Sequence, residues 1–172
     1  MEKSRSALKH ADHIVIKLSS SIVADESGQI NDSRLRTLAK EIVTLRDQGR
    51  GVILITSGAM RVGLVKLGFK TPVRALAKRQ AAASVGQSEL IWYYRQIFEE
   101  LGVRIGQVLL TQADIFDRQR YVHVRDTLSS LIHSYKVLPI INENDTVSVE
   151  ASGSGRTIAW RRWWRSRWRP TC

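Results

Sequence analysis

The sequence predicts an α/β fold: an open, mostly parallel sheet with helices on both of its faces. Three observations carry this. The 172 residues are 43% hydrophobic and 25% charged, the composition of a soluble protein with one buried core. Short apolar runs, each bounded by polar residues, recur along the chain and read as buried strands. Segments with helical spacing of apolar residues separate them, and that alternation builds a parallel sheet through right-handed crossovers.

Taken in order, "HIVIKL" (13–18) is the first strand. Asn31 or Asp32 can cap a helix whose apolar positions Leu35, Leu38, Ala39, Ile42, Val43 and Leu45 recur at helical spacing, with Gly49 as its stop. "GVILI" (51–55) is the second strand. A helical stretch runs from about Pro72 to Leu101, followed by a strand at "IGQVLL" (105–110), a helix near Asp117 to Tyr135, and a strand at "VLPII" (137–141).

Composition also excludes several classes. The net charge of +11 is lopsided: residues 151–172 hold six arginines and no acid, leaving only +5 on the other 150 residues. Cys172 is the single cysteine, so neither a disulfide framework nor a cysteine zinc site forms within one chain. No apolar run is long enough to span a bilayer, and the opening "MEKSRSALKHAD" lacks the apolar core of a signal peptide. The expectation is a cytoplasmic protein without a membrane partner.

Ligands of open parallel sheets sit at the carboxyl ends of the strands. Those positions read "KLSSS" (17–21), "TSGA" (56–59) and "NENDT" (142–146). Lys17 followed by serines can hold phosphate through its ammonium and through backbone N–H groups, and it equally describes a solvated lysine at a polar turn. "TSGA" sets a hydroxyl and a glycine where a helix begins, which suits an anion or is a plain strand-to-helix turn. Ser57 lacks the first glycine of a hydrolase elbow. "NENDT" offers two amides and two carboxylates for an ammonium group, or an Asx-rich turn. His10, His13, His123 and His133 show no metal-ligand spacing, and His123 and His133 are expected on a helix surface. Neither a P-loop nor a dinucleotide fingerprint is present.

Together and in order, "IVIKLSSS", "VILITSGAMRVG", "KRQAAASVGQSEL", "QVLLTQADIFDRQRYVHVRDTL" and "VLPIINENDTV" resemble the glutamate 5-kinases, of the amino-acid kinase family. The resemblance runs from about His13 to Glu150. It implies an αβα sandwich: an N-terminal lobe (13–150) that binds glutamate, and a C-terminal lobe that binds ATP. It further implies transfer of the γ-phosphate of ATP to the side-chain carboxylate of L-glutamate, the first step of proline synthesis, with Mg²⁺ bound through the phosphates and the chain acting as a homo-oligomer. Carried over by position, Lys17 would contact the ATP phosphates and act catalytically. Ser57 and Gly58 would hold substrate, and Asn142 and Asp145 would hold the backbone groups of glutamate. Where the family has glycine this chain has Ser19, whose Cβ would crowd an approaching phosphate.

Residues 151–172 depart from the family altogether. Codons compatible with Gly153 to Cys172, regrouped by one base, read RFGENDRLAALVALALEADL, which is how the family continues. The tail is therefore expected to be a frameshift product without selected function, the ATP lobe missing, and the chain nearly inactive and prone to self-association along an uncovered sheet edge. Two other readings stand beside this one: another small-acid kinase of the same family, and a nucleic-acid-binding protein that grips phosphate with the Arg/Trp tail. Confinement of the arginines to one terminal segment ranks the latter last.

Overall fold

The computed structural model describes residues 11–69, 71 and 73–148. The tail at 151–172, Glu150 and the expected helix start at Pro72 lie outside the described residues. Four strands, β1 (His13–Lys17), β2 (Gly51–Ile55), β3 (Ile105–Leu110) and β4 (Leu138–Glu143), form one sheet in the order β1-β2-β4-β3. Every pairing is parallel. Register runs His13 against Gly51 through Lys17 against Ile55, and Ile55 against Ile141. The carboxyl ends of β1, β2 and β4 therefore lie side by side at one rim.

Six helices connect the strands: α1 (Ser20–Val23), α2 (Asp32–Asp47), α3 (Ala59–Lys66), α4 (Leu76–Glu100), α5 (Gln112–Phe116) and α6 (Arg118–Ser129). Asn31 caps α2, its side chain accepting from the Arg34 backbone N–H at 3.4 Å. Gly49 follows that helix at φ 82°, a left-handed position that favours glycine. The helix expected from Pro72 starts at Leu76, because Val73 to Ala75 run as irregular chain, with Ala75 extended. The helix expected over 117–135 is interrupted. α6 passes at Ser130–Ser134 into a π-helical turn, closed by a 3.1 Å bond from the Tyr135 N–H to the Ser130 carbonyl.

Strand alternation sends neighbouring residues of β2 into different cores. Val52 and Leu54 pack with Leu35 and Ile42 of α2, with Leu90, Ile97 and Phe98 of α4, and with Leu138 and Ile140 of β4. Ile53 and Ile55 pack on the other face with Ile115, Leu128, Ile132 and Ile141. All five residues of β2 are buried, which is why the run reads as continuously apolar. Each fully buried Leu or Ile contributes roughly 1.5–3 kcal/mol, so the two cores together fix the sheet.

The closest packing is between α3 and α4. A Cβ on Gly63 would stand 1.7 Å from the Ala82 carbonyl oxygen, and one on Gly86 would stand 1.8 Å from the Ala59 carbonyl oxygen. Only hydrogen fits at either position, and the two backbones touch there. This seam sets α4 against the start of α3, directly behind the rim.

Candidate functional site

At the end of β1, Lys17 is half-buried, and the next N–H, of Leu18, donates to the Ile55 carbonyl at 2.8 Å. Val15 packs into the core on the α6 face and Ile16 into the opposite one. By alternation Lys17 belongs to the α6 face. Ser19 is exposed at φ −78° and ψ 158°, an extended conformation open to any residue, so the local backbone does not demand the glycine of the family. Its carbonyl accepts from the Ile22 and Val23 N–H groups, and its hydroxyl meets that of Ser21 at 2.9 Å.

After β2, Thr56 continues into the neighbouring strand, its N–H donating to the Ile141 carbonyl at 2.8 Å. Its hydroxyl and that of Tyr94 share a buried hydrogen bond of 2.7 Å. Burial pushes the Tyr94 phenol up to about 12, keeping it neutral. Ser57 follows, half-buried, and then Gly58 at φ 96°, where a side chain would be strained. Gly58 lies against Ser20, whose Cα would be 3.5 Å from an added Cβ, so the loops after β1 and β2 are in contact.

At the end of β4, Asn142 is only 5% exposed. Its Nδ2 donates to Gln87 Oε1 at 2.6 Å, and its Oδ1 accepts from the Glu143 N–H at 2.9 Å. One amide N–H and one acceptor lone pair remain for other partners. The chain then turns tightly, with Val147 and Ser148 N–H groups on the Asn144 carbonyl and the Ser148 hydroxyl donating to Glu143 Oε1 at 3.1 Å. Asp145 lines a small cleft with Ala59, Ala83, Gln87 and Thr146. The residue after Gly58 and the "NENDT" turn thus share one concavity, floored by α4. Lys17 and Asn142 approach the rim from opposite faces of the sheet.

Gln87 escaped the site reading of the sequence. It lies in the "VGQ" segment, one residue after the glycine that lets α4 touch α3, and it holds the amide of Asn142. The two histidines expected on a helix surface are found on one. His123 is exposed on α6, and His133 is exposed on the π-helical turn, where its Nε2 lies 3.2 Å from Nε2 of His13. Among the described residues no group of three or more His, Cys, Asp or Glu is placed to hold a metal ion, and no helix is long and apolar enough to cross a membrane.

An open parallel sheet with helices on both faces and polar loops crowded at the carboxyl ends of adjacent strands defines an α/β protein of the kind that places its ligand sites at that rim. The model of the amino acid kinase family matches residues 12–160, and the chain belongs to that family. It is 44% identical over 146 residues to a glutamate 5-kinase of Moorella thermoacetica, covering 85% of this chain and 38% of the relative. To a glutamate 5-kinase of Thioalkalivibrio sulfidiphilus it is 40% identical over 150 residues, covering 87% and 40%. To that of Pelobacter propionicus it is 37% identical over 146 residues, covering 85% and 39%. The chain spans about two-fifths of the length of these curated relatives.

Proposed function

We propose that residues 13–150 are the amino-acid-binding lobe of a kinase that transfers the γ-phosphate of ATP to the side-chain carboxylate of L-glutamate, giving L-glutamyl 5-phosphate. The observation that supports it is the shared rim: in a chain of this family, the ends of β1, β2 and β4 bring Lys17, Ser57, Gly58, Asn142 and Asp145 to one end of the sheet. Asp145 supplies negative charge for the substrate ammonium, the remaining Asn142 N–H suits its backbone carboxylate, and the Ser57–Gly58 turn offers a hydroxyl and backbone N–H groups to an anion.

The acceptor is a carboxylate, ionised at neutral pH, so its attack on the γ-phosphorus needs no general base. The oxygen forms the new bond to phosphorus as the bond to the leaving ADP oxygen breaks. The protein's part is alignment and charge neutralisation, with Lys17 directed at the transferring phosphate. Mg²⁺ would arrive on the nucleotide phosphates and supply further charge neutralisation. The enzyme so described works in the cytoplasm as a homo-oligomer, and residues 151–172 are a displaced reading frame outside the lobe.

Calorimetric titration with L-glutamate, L-aspartate and N-acetyl-L-glutamate tests the substrate. Saturable binding of L-glutamate alone supports the proposal, and preference for either competitor assigns a different small-acid kinase of the family. Nucleotide sequence across the Glu150 codon, and ATP turnover of the chain with one base restored there, test the reading-frame proposal.

A further inference from the structure

At the end of the sheet opposite the rim, the topology joins two histidines that are 120 residues apart in sequence. His13 opens β1, and His133 lies in the π-helical turn that leads from α6 to β4. Their Nε2 atoms are 3.2 Å apart, with ring centroids at 5.2 Å and planes inclined by 73°. The His13 imidazole lies over Gly51, its strand partner. A Cβ on Gly51 would come within 2.7 Å of His13 Cδ2 and 3.2 Å of Ile132, so the absence of a side chain makes the space for the ring. His13 is half-buried, and His133 is exposed.

We infer that His13 and His133 form a two-imidazole site for a divalent first-row transition metal ion such as Zn²⁺, Ni²⁺ or Cu²⁺. Two nitrogens that share a metal at about 2.0–2.1 Å stand roughly 2.9–3.4 Å apart as the angle at the metal opens from square to tetrahedral. The observed separation falls in that interval. In the free protein one Nε2–H donates to the other ring. On metal binding the donating ring passes to its Nδ1–H tautomer, its Nε2 proton lost to solvent and Nδ1 taking one up, so that both rings present an Nε2 lone pair to the ion. Imidazole nitrogen selects Zn²⁺, Ni²⁺ and Cu²⁺ over Mg²⁺, which prefers oxygen. Asp12, adjacent in sequence, adds negative charge beside His13. With two protein ligands the other positions hold water, so binding is reversible. The bound ion ties the start of β1 to the crossover before β4, a link absent from the phosphotransfer chemistry proposed for the rim.

The test is thermal melting of the untagged full chain in ZnCl2, NiCl2 or MgCl2, with Cu²⁺ electron paramagnetic resonance as the spectroscopic readout. Expected are a saturable rise in melting temperature with Zn²⁺ and Ni²⁺ but not Mg²⁺, and a Cu²⁺ spectrum with nitrogen coupling. His133→Gln and His13→Gln should each weaken binding by roughly 100-fold or more, beyond the roughly 10–100-fold caused by losing an outer-shell partner. His123→Gln and a His10→Gln/Cys172→Ser double variant should bind as the parent does. If His13→Gln unfolds the chain, the exposed His133→Gln variant decides alone. No metal-dependent rise, binding that survives His133→Gln, or binding lost in the double variant would each overturn the inference.

Discussion

Replacing Gly86 with alanine sets two physical effects against each other. Helix propensity alone favours alanine in the interior of α4 by about 1 kcal/mol. Packing opposes it, because the new methyl would meet the Ala59 carbonyl oxygen at 1.8 Å and the Gly63 nitrogen at 2.6 Å. Ordinary carbon–oxygen contacts lie at roughly 3.3 Å or beyond. The obstructing atoms are backbone, so no rotamer change relieves the clash, and α3 and α4 must separate by more than about 1 Å. Overpacking of this severity costs about 3 kcal/mol, the upper end of the usual range. The net expectation is a loss of about 2 kcal/mol, which lowers the urea midpoint by about 1 M for a slope near 2 kcal/mol per M. Urea titration followed by circular dichroism measures it. Gly63→Ala, with its Cβ 1.7 Å from the Ala82 oxygen, should behave alike, and the double variant should lose less than the sum, since one separation accommodates both methyls. L-glutamate affinity should fall as well, because Gln87 moves with α4 away from Asn142. A midpoint equal to or above that of the parent would refute the reasoning.

Thr56→Val and Tyr94→Phe should each cost about 1–3 kcal/mol by orphaning a buried hydroxyl, and the double variant should recover most of the loss in the same urea assay. The Asp32 carboxyl is held below its ordinary range, first by the Tyr93 hydroxyl and then by Arg36. A depressed carboxylate stabilises the fold above its unfolded pKa and loses that contribution as pH falls through the folded one, so the melting temperature should drop below about pH 4, less steeply in Asp32→Asn. Gln87→Ala should weaken L-glutamate binding in calorimetry by about tenfold, through the loss of one charge-free hydrogen bond that orients Asn142. If the proposed function holds, Lys17→Met, in the chain carrying one inserted base at the Glu150 codon, should abolish turnover while leaving L-glutamate binding near the parent value.

The central strand was legible because a strand buried on both faces is written as an unbroken apolar run, and "GVILI" is β2 residue for residue; the edge strand β3 matched "IGQVLL" although Gln107 breaks its run and most of it is only partly buried. Asn31 and Gly49 bracketed α2 because capping is local chemistry, decided within a turn of chain. The strand-end segments around Lys17, Ser57 and Asn142 were likewise readable, since parallel connectivity forces successive carboxyl ends to one rim. Other features depend on atoms brought together from afar. No local pattern announces that Gly63 and Gly86 are spaces for an opposing backbone, that Gln87 is spent on Asn142, or that α6 widens at Ser130 into the turn that carries His133 to His13. Periodicity reports which face of an element is buried. It does not report which partner lies across that face or how near its backbone comes, and those distances, fixed by the packing of α3, α4 and the sheet, are what tertiary structure alone decided.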